Sequence, residues 1–155
     1  IGLDGDEQAD FSVHGGLEKA IYAYPSEHYP FWNELLSREA KRSNPIGFGF
    51  VGENLSVEGF SEEAVWVGDN WLIGDVELEV VKLREPCFKF NARMGYKGAS
   101  KAMIQSTRSG WYLKVHKGGT IKAGDTIIVQ AGRREMSIQQ QNHFLLRKES
   151  QKDLF

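Results

Sequence analysis

A period-two alternation of side chains in the middle of the chain constrains its fold more than any other pattern. Val76, Leu78 and Val80 would point one way in an extended segment, and Glu77 and Glu79 would point the other way. A strand of this kind has one face in an apolar core and one face in water. Because this arrangement is typical of antiparallel sheets and barrels, we expect a half-buried strand here.

Turn residues recur where further strands would begin or end. A Gly-Asp pair opens an apolar strand at Gly74 and Asp75 and again at Gly124 and Asp125, in a chain with 17 glycines and only 4 prolines. Strands are also predicted for the segments KAIYAY and WYLKVHK, and the glycine-rich stretch SNPIGFGFVGENLSV is expected to be a loop that leads into a strand.

Helical periodicity is confined to three segments. The first helix is predicted to begin with Ser26 as its N-cap and to bury a stripe at helical spacing, namely Tyr29, Trp32, Leu35 and Leu36. A short helix is expected in YKGASKAMIQSTRSG, ending near Gly110. A C-terminal helix is expected after Met136, where the strand pattern stops.

These elements favour a mainly β chain with helices, of the α+β class, built as a distorted β-barrel with helical insertions. We expect the barrel over residues 1–135 and a C-terminal helical segment over residues 136–155, the start of a small helical tail. The chain has 155 residues, of which 41% are hydrophobic and 26% charged, and this composition suits one domain with its own core.

Charge and composition exclude several functional classes. The net charge of −2 gives no overall basic field for a nucleic-acid polymer. No apolar run approaches the roughly 20 residues of a membrane span, and no basic-then-apolar signal stands at the N-terminus. A single cysteine favours a reducing compartment, so we expect a cytoplasmic protein. The chain opens on Ile1 rather than Met, so we expect a fragment.

The single cysteine, Cys87, is the first candidate for chemistry. A lone cysteine is usually a small buried apolar residue, but Pro86 before it marks a strand end, an edge or a bulge. Arg84, Lys89 and Arg93 flank it, and cations favour the thiolate form. In an extended strand, period-two alternation would also place Cys87 and Lys89 on one face.

The remaining residues limit what such a thiolate could do. A redox pair needs a second cysteine, a cysteine protease needs a base in a recognisable context, and zinc needs Cys/His spacings that the chain lacks. A single soft sulfur ligand for a metal carried by a larger cofactor remains. Other segments offer ligand-binding groups that are individually ordinary, namely His14, Gly15, Gly16, Lys19, Asn54, Arg108, Tyr112 and Lys114.

The order of the short motifs is more specific than any one of them. The segments GLDGDEQAD, HGGLEKAIYAYPSEHYPFW, GENL, IGD, PC, RSGWYLKV and GTIKAGD follow one another along nearly all of the chain. In this order they resemble the MOSC domain, named for the C-terminal part of molybdenum-cofactor sulfurases. The chain is most similar to the stand-alone bacterial branch linked to resistance against N-hydroxylated purine analogues.

The resemblance implies a β-barrel-rich fold that binds a molybdenum cofactor, a molybdopterin with a phosphate. It implies Cys87 as the catalytic and metal-ligating residue. Cofactor-binding positions that it implies are His14, Gly15, Lys19, Asn54, Arg84 and Arg108. From the residues themselves we add Gly16, Lys89 and Tyr112 as candidate cofactor-binding positions. The chain departs from the branch at Leu83, where relatives often carry proline, and at Lys114, where they often carry arginine.

The resemblance also implies an activity. Members of the branch are similar to enzymes that reduce N–OH groups of small compounds to N–H with electrons from a separate reductase, and so detoxify N-hydroxylated bases. The alternative is a carrier of the cofactor or of sulfur without turnover. A family-level association with pyridoxal phosphate comes with the resemblance, whereas no nucleic-acid polymer or membrane is expected as a partner and a homodimer is left open.

Overall fold

A computed structural model describes residues 2–3, 10–13 and 20–153 of this chain. The strands of the described residues are β1 (Gly2–Leu3), β2 (Asp10–Val13), β3 (Ala20–Pro25), β4 (Leu55–Glu58), β5 (Asn70–Ile73), β6 (Val76–Leu83), β7 (Trp111–Lys117), β8 (Gly119–Lys122) and β9 (Ile128–Gln130). The helices are α1 (Tyr29–Glu39), α2 (Phe88–Met94), α3 (Ala99–Ser106) and α4 (Ile138–Asp153), with a 3-10 turn at Ser26–His28.

Seven strands form one sheet in the order β1-β4-β3-β7-β6-β5-β9, and β2 pairs with β8 in a second, two-stranded sheet. All pairs are antiparallel except β3 with β4. The parallel pair is possible because α1 and the loop after it carry the chain back between the two strands. The predicted class, mainly β with helices on a curled barrel-like sheet, is confirmed.

Two cores lie on opposite faces of the large sheet, as strand β3 shows. Ile21 and Ala23 belong to one core and the alternate residues Tyr22 and Tyr24 to the other, so this strand is buried on both faces. The inner core consists of Val13, Ile21, Ala23, Leu55, Val57, Phe60, Val65, Trp71, Ile73, Val76, Leu78, Val80, Trp111, Leu113, Val115, Ile121, Ile127 and Ile138. The helix-side core consists of Tyr22, Tyr24, Tyr29, Trp32, Leu35, Leu36, Ile46, Val51, Phe90, Met94, Ala99 and Met103.

The alternating strand and its turn are confirmed. Val76, Leu78 and Val80 are fully buried in β6, while Glu77 is exposed. The β5–β6 hairpin turns at Gly74, whose φ of +58° lies in the left-handed region that glycine adopts without strain.

Two predicted helix boundaries are wrong. Ser26 is not an N-cap, because residues 26–28 form a 3-10 turn and α1 begins at Tyr29, where Pro30 stands in the first turn. The helix predicted to reach Gly110 ends at Ser106, because Thr107 adopts a left-handed conformation (φ +58°). The buried stripe of α1 is confirmed.

The C-terminal helix α4 is present and packs on the sheet. Gln141 accepts a hydrogen bond from the Leu83 amide (2.8 Å), and the buried Asn142 donates to the Ile104 carbonyl (2.7 Å). The division into residues 1–135 and 136–155 stays a prediction. Among the helices of the described residues, none is both long and apolar enough to span a bilayer.

Candidate functional site

Tyr22 brings together three of the predicted site residues. Its backbone N–H donates to the side-chain oxygen of Asn54 (2.8 Å), and its carbonyl accepts from the Asn54 N–H (2.8 Å). The Arg84 guanidinium lies 4.8 Å from the centre of the Tyr22 ring, and the Tyr112 ring centre lies 5.3 Å from it. Residues far apart in the sequence therefore meet around one tyrosine, which we call the Tyr22 cluster (Tyr22, Asn54, Arg84 and Tyr112).

Strand pairing explains why these residues meet. Tyr22 and Tyr112 are direct partners across β3 and β7. Asn54 stands just before β4, and its side-chain amide continues the hydrogen bonding of β3 beyond the point where the strands pair. Arg84 follows the last residue of β6, and its N–H donates to the Gly110 carbonyl (3.3 Å) just before β7 begins.

Arg84 is held between two aromatic rings. Its guanidinium lies 4.8 Å from the ring centre of Tyr22 and 4.7 Å from that of Phe90 in α2. Its Nη1 donates to the Val51 carbonyl (2.6 Å) in the loop before β4. Since a guanidinium has five N–H donors, this half-buried side chain can fix the loop and still have donors for an anion.

Cys87 lies in the loop after β6 and is exposed, so its interpretation as an inert buried residue is wrong. It is the N-cap residue of α2, in extended backbone geometry (φ −131°, ψ −174°), without a side-chain hydrogen bond to the helix. Its carbonyl accepts from the Phe90 N–H (3.0 Å) and the Ser100 hydroxyl (2.8 Å). The backbone is therefore anchored to both α2 and α3, while the thiol is exposed.

The prediction that places Cys87 and Lys89 on one face rests on a strand that is absent from the described structure of these residues. It assumed an extended strand, but residues 88–94 form α2. Cys87 precedes the helix in extended geometry and Lys89 lies within it, so period-two alternation does not connect the two residues. Lys89 is exposed on this helix.

Arg108 lies apart from the Tyr22 cluster, next to α1. Its guanidinium stacks 4.1 Å from the ring centre of Phe31, and its carbonyl accepts from the Tyr24 hydroxyl (2.9 Å). The Tyr22 hydroxyl donates to the carbonyl of the next residue, Ser109 (2.6 Å). Two tyrosine hydroxyls thus fix the backbone of residues 108–109 behind the site.

Burial sets the protonation state of Tyr22 and Tyr29. Burial raises the pKa of Tyr22 well above its ordinary value, and the neighbouring Arg84 offsets only part of that rise. Burial likewise raises the pKa of Tyr29, and the Glu53 carboxylate raises it further. Both hydroxyls therefore stay protonated at neutral pH and act as hydrogen-bond donors.

Two buried carboxylates near the site were missed in the sequence. Glu53, 8% exposed, accepts from the Tyr29 hydroxyl (2.6 Å) and from Ser56 (3.2 Å) through Oε2, while its buried Oε1 has no partner among the described residues. Glu62, 3% exposed, contacts the His28 ring (2.8 Å) and accepts from the Gly110 N–H (3.0 Å). The motif GENL contained the only available signal, a glutamate beside Asn54.

The predicted residues His14, Gly15, Gly16 and Lys19 lie outside the described residues. In the part of the chain that the structure describes, no group of three or more His, Cys, Asp or Glu side chains is arranged to hold a metal ion. The candidate site of the described residues therefore consists of Cys87 and the Tyr22 cluster, with Arg108 to one side.

A family comparison identifies the fold. The MOSC domain model matches residues 10–128. This chain belongs to the MOSC domain family. The predicted resemblance is therefore confirmed, and MOSC domains are associated with binding of the molybdenum cofactor.

Individual relatives agree with the family. The Bacillus subtilis (strain 168) protein YflK is 36% identical over 138 residues, which are 88% of this chain and 60% of YflK. A protein named "Reductase" from Gibberella moniliformis is 42% identical over 127 residues, 81% of this chain but 22% of that protein. The crystal structure of YiiM from Geobacillus stearothermophilus has a TM-score of 0.78 and 32% identity, covering 90% of this chain and 70% of that one.

The donor groups present fit a molybdenum cofactor. An exposed thiol offers the soft ligand that such a metal accepts. The half-buried guanidinium of Arg84 suits an anionic phosphate, and the exposed carboxamide of Asn54 suits the amide-like edge of a pterin. These groups stand on the loops that follow β6 and precede β4.

Proposed function

We propose that this chain binds a molybdenum cofactor through Cys87 and the Tyr22 cluster and reduces N-hydroxylated compounds with electrons from a separate reductase. The observation that carries the proposal is the exposed thiol of Cys87, fixed through its backbone three residues after Arg84. Its membership of the MOSC family and a fungal relative named as a reductase support it.

Each site residue has a proposed task. The Cys87 sulfur ligates the metal, and Arg84 and Arg108 hold the anionic part of the cofactor. The Asn54 carboxamide and the Tyr112 hydroxyl bind the pterin or the substrate, and Lys89 adds positive charge at the rim. His14, Gly15, Gly16 and Lys19 complete the proposed set, with glycine amides and a cation suited to an anion.

The reaction is a two-electron reduction. The N–O bond breaks, an N–H bond forms and water leaves, which consumes two electrons and two protons. When bound, the cofactor supplies the two-electron chemistry at its metal. The protein binds and orients the reactants, while protons reach the exposed face of Cys87 from solvent. The Tyr22 hydroxyl is not the proton source, since it is buried and donates to Ser109.

Metal and pterin analysis tests the binding. Wild-type protein purified from molybdenum-replete cells should contain molybdenum and pterin, and Cys87→Ala should lower the molybdenum content by at least about tenfold. The exposed loop variant Ser43→Ala is the matched control and should keep wild-type content. Equal molybdenum content in Cys87→Ala and wild type would overturn the assignment of the ligand.

Turnover separates the enzyme from the carrier. With a chemically reduced dye as donor, the loaded protein should convert an N-hydroxylated purine to the amine, and Cys87→Ala should not. A loaded protein that passes its cofactor to an acceptor but reduces no hydroxylamine with any donor would support the carrier function instead. Turnover by Cys87→Ala at the wild-type rate would show that the thiol is required neither to hold the metal nor for the reaction.

A further inference from the structure

Glu62 is a buried carboxylate to which the proposed function gives no task. Its Oε2 accepts from the Gly110 N–H (3.0 Å), and the side chain is almost fully buried. The His28 Nε2 lies 2.8 and 3.0 Å from the two carboxylate oxygens. Because an ionised carboxylate only accepts hydrogen bonds, the Nε2 atom carries the hydrogen in this contact. Glu62 therefore binds a backbone amide on one side and an imidazole on the other.

The Gly110 amide belongs to a short segment, residues 108–110, that begins with Arg108. The three carbonyls of this 108–110 segment accept hydrogen bonds from three different residues. These bonds are Tyr24 hydroxyl to Arg108 (2.9 Å), Tyr22 hydroxyl to Ser109 (2.6 Å) and Arg84 N–H to Gly110 (3.3 Å). The Glu62 carboxylate adds a charged acceptor for the Gly110 N–H, so the segment is held through its carbonyls and through this amide.

The space around Gly110 is as closely defined as its hydrogen bonds. Gly110 has a left-handed backbone conformation, φ +68°. A Cβ atom at this position would lie 2.6 Å from the Ala23 carbonyl oxygen and 2.7 Å from the Tyr24 ring, so a side chain would displace its neighbours. The backbone of the 108–110 segment therefore packs directly on β3, and the bond to Glu62 holds it there.

Glu62 is itself fixed from two directions. Its backbone carbonyl accepts from the Gln139 N–H (2.9 Å) at the start of α4. The ring of His28 lies edge-on to the Tyr24 ring, with 5.3 Å between the ring centres. Since the Tyr24 hydroxyl donates to the Arg108 carbonyl, the pair of Glu62 and His28 is joined to the 108–110 segment both directly and through Tyr24.

A buried carboxylate is an unfavourable way to satisfy one backbone amide. Removing a carboxylate from water costs free energy, and a neutral amide oxygen could accept from the Gly110 N–H at a lower cost. A hydrogen bond to a charged acceptor is, however, shorter and roughly twice as strong. The stronger bond limits movement of the segment from which Arg108 extends. Such a limit matters for a guanidinium, because its planar fork binds an anion in a defined geometry.

We infer that Glu62, supported by His28, is a positioning residue for Arg108. Glu62 holds the backbone from which Arg108 reaches the anionic part of the cofactor. The inference rests on the proposed function, which gives Arg108 that task. The Arg108 guanidinium also stacks 4.1 Å from the ring centre of Phe31, so a displaced backbone could not keep both the ring contact and the anion in place.

A purely structural role for Glu62 is the competing explanation, and Asp69 offers a matched control. The Asp69 carboxylate is also buried, and it also accepts from a glycine N–H and a basic side chain, namely Gly132 (3.0 Å) and Arg134 (3.2 Å). These contacts lie next to the start of β5. If Glu62 only stabilised the fold, loss of either carboxylate would have the same effect on cofactor retention by folded protein.

Release of pterin from the loaded protein during dialysis tests the inference. Glu62→Leu should speed release at least about fivefold, because the Gly110 N–H loses its acceptor and Arg108 its fixed position. Glu62→Gln keeps an acceptor oxygen and should lie between Glu62→Leu and wild type. Asp69→Leu should release pterin at the wild-type rate. All variants are compared at a temperature where circular dichroism shows them folded, and Glu62→Gln against Asp69→Asn replaces the comparison where a leucine variant does not fold.

Arg108→Ala shows whether Glu62 acts through Arg108. Alone, this substitution should speed pterin release. Adding Glu62→Leu or Glu62→Gln to Arg108→Ala should speed release by less than about twofold more, since the side chain that Glu62 positions is already gone. A structural role would instead give effects that multiply.

The outcomes separate this inference from the proposed function. Equal release by the Glu62 and Asp69 variants, multiplying effects with Arg108→Ala, or release by Glu62→Gln as fast as by Glu62→Leu would each overturn the role of Glu62. Protein that shows the expected release rates but reduces no N-hydroxylated compound with a dye keeps this role and refutes the reductase function. Wild-type protein without pterin would refute cofactor binding and, with it, the role of Glu62.

Discussion

The two faces of the large sheet are packed with different chemistry. The inner core contains aliphatic side chains with Phe60, Trp71 and Trp111. The helix-side core contains Tyr22, Tyr24 and other groups whose polar atoms are paired across strands and helices. The inner core can be filled by any well-packed apolar set, whereas the helix-side core depends on specific partners.

Several hydrogen bonds of the helix-side core fix backbone or side chains next to the candidate site. Trp32 donates to the Tyr24 hydroxyl (2.7 Å), which donates to the Arg108 carbonyl. Tyr29 donates to Glu53, the residue before Asn54. Buried polar networks are stable only when their members are satisfied. The inner core therefore contributes apolar packing, whereas the helix-side core also sets the positions of site residues.

The largest expected effect follows from a change in the inner core. Leu78→Ala leaves a cavity at a fully buried position and should lower the free energy of unfolding by about 2–5 kcal/mol. Urea denaturation measures the change. Val81→Ala on the same strand, 38% exposed, should cost less than about 1 kcal/mol. The folded fraction of Leu78→Ala should bind molybdenum as wild type does; selective loss of molybdenum there would break the division between the cores.

A smaller loss of stability, with a larger loss of function, is expected at Arg84. Arg84→Ala removes the bond to Val51 and both ring contacts, so it should cost about 2 kcal/mol and lower molybdenum content severalfold. Arg84→Lys keeps the charge but not the planar fork. If Arg84→Lys matches wild type in stability and in molybdenum content, positive charge alone is sufficient at this position and the planar guanidinium is not required.

The inner core was predictable because its signal is local. The alternation of Val76, Leu78 and Val80 with two glutamates is readable within five residues, and the Gly74 turn marks its start. The Tyr22 cluster is different, since strand pairing joins residues from four separate parts of the chain. A tyrosine inside a strand gives no local sign of the partners it will meet.

The wrong prediction of an extended strand around Lys89 has a specific cause. The segment PCFKF was interpreted as extended because Pro86 marks a strand end, but Phe90 and Met94 are four residues apart and both are buried on one side of α2. Gly95 ends that helix in a left-handed conformation, φ +68°. An i, i+4 apolar pair followed by glycine is a helix signal that the proline obscured.

The smallest expected effect is the pH dependence of the free energy of unfolding that the buried Tyr22 contributes. The pKa of Tyr22 is raised in the folded state, so above pH 10, the ordinary tyrosine value, the unfolded chain loses a proton that the folded chain keeps. The contribution of Tyr22 is complete below pH 10 and is lost as pH rises further toward the folded-state pKa. By pH 11, ionisation of Tyr22 in the unfolded chain should lower the free energy of unfolding by roughly 1 kcal/mol.

Tyr22→Phe is the matched variant for this pH dependence. At neutral pH it should be less stable than wild type by about 1 kcal/mol, because the buried Ser109 carbonyl loses its donor. Between pH 9 and 11 its free energy of unfolding should fall less steeply than that of wild type, since one titrating tyrosine is gone. Chemical denaturation across this range measures both slopes. Parallel slopes would show that Tyr22 titrates as an ordinary tyrosine. The helix-side core would then not exclude water from the Tyr22 hydroxyl, which donates to the Ser109 carbonyl.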